Sequence, residues 1–129
     1  MKIEHVACWT EQLEALAAFY QDYFGATVGP EYVNAAKGFK SRFLSFEAGP
    51  RLELMSTSTL SPLQAARGAQ RMGLTHFAVA MGCEANVDSL TERLRRDGFE
   101  VLGGPRRTGD GYYESVVLDP DGNRIELTV

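Results

Sequence analysis

The sequence predicts an α+β fold made of two βαβββ modules, residues 1–57 and 72–129, joined by a connection over 58–71. Three observations carry the prediction. Each half runs strand, helix, then three strands. The chain has only two histidines, His5 and His76, and each opens one half at a matching place. A glutamate between aliphatics recurs on the last strand of each half, in Arg51-Leu52-Glu53-Leu54-Met55 and again in Arg124-Ile125-Glu126-Leu127. A chain of 129 residues is long enough for one domain with a proper core.

In chain order, Lys2–Trp9 alternates as a strand, with Ile3, His5, Ala7 and Trp9 on one face. Thr10 reads as an N-cap, and Leu13, Leu16, Ala17, Tyr20 and Phe24 fall on one helical face that Gly25 closes. Strands follow at Ala26–Val33, Phe39–Glu47 and Arg51–Thr57. The Ser/Thr-rich connection contains a short run, Pro62–Ala69, with helical character. The second half repeats the plan. Met72–Met81 is a strand with Leu74, His76, Ala78 and Ala80 on one face. Ala85–Asp97 is a helix with Val87, Leu90 and Leu94 inward and Arg93, Arg95 and Arg96 at its solvated C-terminal end. Phe99–Leu102, Tyr112–Asp119 and Asn123–Val129 are the last strands. Asp119-Pro120-Asp121-Gly122 is a tight turn, preferred to a calcium loop because the remaining ligand pattern of one is missing. Gly103-Gly104-Pro105 and Gly109-Asp110-Gly111 do not lie between a strand and a helix as phosphate loops do, and read as flexible loops at the mouth of a site.

A net charge of −4 gives no reason to expect nucleic acid or an anionic membrane as partner. No stretch is long and apolar enough for a membrane span or a signal peptide, and Cys8 and Cys83 form neither a CxxC nor a zinc-type spacing. The expectation is a soluble, cytoplasmic protein. No GxSxG nucleophile motif is present.

Taken singly, a histidine or a glutamate on a strand is an ordinary solvent-facing side chain. The joint placement of His5, Glu53, His76 and Glu126 at matching positions of the repeat is what points to a divalent metal site. Neutral imidazoles with carboxylates suit a borderline first-row ion, and two carboxylates neutralise a dication. Four protein ligands on a metal that accepts six leave two places for water or substrate. This mixed set does not choose among Ni, Zn, Co, Mn and Fe.

With that set in place, the chain resembles the vicinal oxygen chelate superfamily, which contains glyoxalase I, methylmalonyl-CoA epimerase, extradiol dioxygenases, fosfomycin-resistance enzymes and bleomycin-binding proteins. The resemblance spans the whole chain. It is carried by Ile3-Glu4-His5-Val6, by Phe19-Tyr20 and Phe24-Gly25, by Arg51-Leu52-Glu53-Leu54, by Gly73-Leu74-Thr75-His76, and by Asp119-Pro120-Asp121-Gly122-Asn123-Arg124-Ile125-Glu126-Leu127. It implies curved sheets pairing around a cup that holds one metal ion. It also implies a homodimer, in which the modules completing a cup come from one chain or from two. Dioxygenases and fosfomycin enzymes usually lack a carboxylate at the place of Glu53, epimerases tend to have glutamine there, and bleomycin-binding proteins lack the ligands. His5, Glu53, His76 and Glu126 together are most similar to glyoxalase I. That implies a lyase or isomerase acting through an enediolate-like intermediate, with Glu126 as the base and Glu53 as the other catalytic carboxylate.

One departure matters. Where glyoxalase I has an arginine and an asparagine that help hold glutathione, this chain has Trp9 and Thr57, which speaks against glutathione hemithioacetals. Trp9 presents an aromatic wall on the face of His5, so a smaller, less anionic or aromatic substrate fits better. Trp9, Met55 and Arg51 are the candidate substrate contacts, and Arg42, Arg51 or Arg124 could meet an anionic group. Two rival functions remain open: a non-catalytic protein that sequesters an antibiotic or toxin, and a metal-dependent dioxygenase.

Overall fold

The computed structural model describes residues 1–61, 66–70 and 72–129. The chain divides into two compact units, Met1–Gln64 and Ala65–Val129, each built on one mixed sheet with one main helix.

The first unit runs β1 (His5–Trp9), α1 (Leu13–Phe24), β2 (Thr27–Val28), β3 (Tyr32–Asn34), a 3₁₀ turn (Ala35–Lys37), β4 (Phe39–Ser45) and β5 (Arg51–Thr57). Its strand order is β1-β5-β4-β2, and β3 also pairs with β4. The β1–β5 pair is parallel and the others antiparallel. Period-two alternation sends Leu52 and Leu54 of β5 and Leu44 of β4 into the core with Leu13, Leu16, Ala17 and Tyr20 of α1. The helix begins at Leu13, later than its sequence suggested. Thr10 does not cap it; its Oγ1 accepts the backbone N–H of Gln12 at 3.0 Å and so spends itself on a local turn. Gly25, at φ 66°, ends the helix as expected. The strand predicted over Ala26–Val33 is instead two short ones, because Pro30, which has no N–H to donate, interrupts pairing with β4.

The second unit runs β6 (His76–Ala80), α2 (Glu84–Arg96), β7 (Val101–Arg107), β8 (Tyr113–Leu118) and β9 (Arg124–Thr128), in sheet order β6-β9-β8-β7. Again the pair holding the first and last strands, β6–β9, is parallel. Val87, Leu90 and Leu94 of α2 are buried with Val117, Ile125 and Leu127. Thr91 extends that inward face, its hydroxyl 2.6 Å from Ser115 Oγ in the core. The strands expected to open at Met72 and at Phe99 open at His76 and at Val101. Gly103-Gly104-Pro105 is a correction: it lies inside β7 and shifts that strand's register against β8. Gly109-Asp110-Gly111 does lie in the turn that follows. The helical run over Pro62–Ala69 falls partly on residues 62–65, outside the described residues; in its described part, Arg67 and Gly68 form a turn.

The Asp119 turn is held from within. Its fully buried carboxylate accepts the N–H groups of Asp121 and Asn123 through Oδ1, at 2.9 and 2.8 Å, and the Asn123 side-chain amide through Oδ2. The arrangement is a braced turn feeding β9, as the sequence implied.

Candidate metal-ligand pairs

In the first unit, parallel register sets His5 beside Arg51 and Ala7 beside Glu53, so His5 and Glu53 share the sheet face turned away from the core leucines. His5 Nε2 lies 3.7 Å from Glu53 Oε2. In the second unit the same register sets His76 beside Arg124 and Ala78 beside Glu126, and His76 Nε2 lies 3.5 Å from Glu126 Oε2. Each imidazole is about two-fifths exposed, while the carboxylates are mostly covered, at 15% for Glu53 and 20% for Glu126. The repeat therefore extends to the positions and exposure of individual side chains.

Both separations exceed the usual hydrogen-bond range of about 2.7–3.2 Å. They approach the spacing of roughly 3.0–3.5 Å that two donors adopt when each is about 2.1 Å from one ion. Each pair thus fits two ligands of a divalent cation. His5 has a further feature suited to ligation: its Nδ1 lies 2.6 Å from Glu4 Oε2. A carboxylate on Nδ1 fixes the tautomer that leaves the Nε2 lone pair facing Glu53, the usual arrangement for a metal-bound imidazole. The same hydrogen bond, with the Arg51 guanidinium, holds the Glu4 carboxyl below its ordinary range. The structure brings His5 to Glu53 and His76 to Glu126, each pair within its own unit. Among the described residues no group of three or more His, Cys, Asp or Glu side chains is placed to hold a metal ion.

Of the candidate substrate contacts, Trp9 and Met55 are cross-strand neighbours on the face of Glu53. Arg51 is engaged by Glu4 and lies 4.0 Å over the Phe43 ring. Arg42 pairs with Glu14 and the Gly29 carbonyl, and Arg124 donates twice to the Gly68 carbonyl. All three arginines proposed for an anionic group thus have partners inside the chain.

The structure adds Glu114, which the sequence reading passed over. It sits on β8 across from Thr128 and, two residues from Val116, on the face of Glu126. Only 8% exposed, it is pushed up from the ordinary carboxylate range, first by burial and then by the Glu126 carboxylate, against the pull of Arg106 at 2.8 Å. Alternation along β8 places it there, but no matching glutamate in the first half marks it in the sequence.

Residues 2–127 match the model of the glyoxalase/bleomycin resistance protein/dioxygenase superfamily. The chain belongs to that superfamily. Members provide solved structures similar to this chain. A possible glyoxalase from Bacillus cereus is 26% identical with a TM-score of 0.71, over 100% of this chain and 99% of that one. A glyoxalase I variant from Zea mays is 22% identical with a TM-score of 0.79, and this chain spans only 44% of it. The uncharacterized protein YqjT of Bacillus subtilis (strain 168) is 27% identical over 97% of this chain and 96% of that protein. The fold is accordingly the α+β glyoxalase fold of two modules.

Proposed function

We propose that this superfamily member is a metal-dependent lyase or isomerase of the glyoxalase type, acting on a small carbonyl compound. The observation that carries it is the duplicated His–Glu pair, at 3.7 Å and 3.5 Å in identical strand registers. His5, Glu53, His76 and Glu126 are the ligand set, with the two modules contributed by one chain or by two chains of a homodimer. The ion, one of Ni, Zn, Co, Mn or Fe, supplies Lewis-acid stabilisation of negative charge developing on the substrate oxygen. Glu126 takes the proton next to the carbonyl, and Glu53 holds the equivalent place on the other pair. Glu4 keeps His5 in the ligating tautomer. The modules over 1–57 and 72–129 act as halves of a single domain. No helix among the described residues is long and apolar enough to cross a membrane, and two cysteines in neither a CxxC nor a zinc-type spacing fit a reducing, cytoplasmic location.

Elemental analysis of tag-free protein tests the proposal. About one equivalent of a first-row divalent metal per site is expected, lost in His5→Ala and in His76→Ala, with Glu126→Gln retaining fold but losing turnover. Absence of metal after reconstitution would sink the enzymatic mechanism and leave a non-catalytic small-molecule binding protein as the better account. Oxygen uptake with an Fe(II)-loaded protein would point to the dioxygenase instead; Glu53, a fourth protein ligand where oxygen would bind, weighs against it.

A further inference from the structure

The sheet face that carries His5 and Glu53 turns aromatic a short way along the strands. β1 shows His5, Ala7 and Trp9 on that face, β5 shows Glu53 and Met55, β4 adds Phe39 and Phe43, and β3 adds Tyr32. The rings of Trp9 and Phe39 meet edge to face with centroids 6.1 Å apart, and Tyr32 continues the row 6.1 Å from Phe39. Trp9 is 51% exposed and Tyr32 57%. Beside Glu53 the β1 neighbour is the small Ala7, and Trp9 follows about 7 Å farther along the strand.

Charge on the same face is already matched. Arg51, its nearest guanidinium, is held by Glu4 and by the Phe43 ring, so an anionic ligand would have to displace an existing ion pair. A flat, uncharged group meets no such obstacle and gains ring-to-ring contact. In the second unit the place of Trp9 is taken by Ala80, opposite Thr128, so the aromatic row belongs to the first unit alone.

We infer that Trp9, Phe39 and Tyr32 form an aromatic contact platform for an uncharged aromatic carbonyl compound, whose ring packs against the row while its carbonyl reaches toward Glu53. What becomes of the carbonyl rests on the proposed function, but the ring contact requires no metal.

Trp9 is the chain's single tryptophan, so its emission reports on the platform directly. The test is a titration with 2-hydroxyacetophenone, a neutral aromatic ketol, and with lactate, a small anion, using metal-free and metal-loaded protein. The ketol should quench Trp9 saturably in both forms and lactate should not. Phe39→Ala and Tyr32→Ala, with circular dichroism unchanged, should each weaken ketol binding roughly two- to tenfold. Linear, non-saturating quenching, or affinities unchanged in both variants, would overturn the platform whether or not the protein binds metal. So would Trp9 emission that shifts on dilution in step with dimer dissociation, since a second copy would then cover the rings. Saturable, variant-sensitive quenching in a protein that binds no metal would support the platform while removing the metal-dependent reaction.

Discussion

Glu114 is buried at the cost of a proton affinity that only the folded chain feels. Its folded pKa lies above the unfolded value, so as pH rises the unfolded chain releases the proton first. The associated stability is complete below the ordinary carboxylate range and is lost as pH climbs through the raised value. Glu114→Gln keeps an acceptor for Arg106 but has no proton to lose. In metal-free protein its Tm should decline less than the parent's as pH rises above the ordinary carboxylate range. A parallel decline would mean that Glu114 does not titrate in this window. The four proposed ligands were legible in the sequence because the duplication repeats them, and a coincidence of rare residues at matching places is visible without coordinates. Glu114, Phe39 and Tyr32 were not, because what distinguishes them is the neighbour across the sheet. Cross-strand register determines that neighbour, and sequence order does not display it.

Among the elements, β5 falls on its expected bounds, α2 lies within a residue of them, and α1 ends where expected but starts later, since strong 3.6- or 2-residue periodicity coincides with burial in each. β7 was misread for a physical reason. Gly103-Gly104-Pro105 has the composition of a loop, but Gly104 is in the strand because no side chain fits: at φ 90°, an added Cβ would stand 2.5 Å from the Glu114 carbonyl oxygen and 2.7 Å from Ser115 Cα. Gly104→Ala should therefore cost about 2–4 kcal/mol, combining backbone strain with the forced separation of β7 from β8. Gly98 shares φ 90° but has nothing within 4 Å of the added atom. Gly98→Ala should cost only the strain, about 1–2 kcal/mol. Urea denaturation of both variants checks the contrast; equal losses would place the whole effect in φ and none in strand proximity.

For the whole molecule, a cation bound at the proposed His and Glu ligands would stabilise the folded state over the unfolded one. Saturating metal, at about a thousand times its dissociation constant, should stabilise the protein by about 4 kcal/mol. Calorimetry with and without a chelator measures this. His5→Ala and His76→Ala should each remove most of the gain; a gain surviving in one of them would mean that the pairs bind metal separately. The two-module plan was readable from the repeat, whereas the loss of symmetry beyond the pairs was readable only in part, as Trp9 against Ala80. That single difference has an evolutionary consequence. A substitution at position 9 can change what the first sheet face accepts without touching the His–Glu pair beside it or the equivalent face of the second unit, so ligand preference and the proposed metal binding are free to change separately.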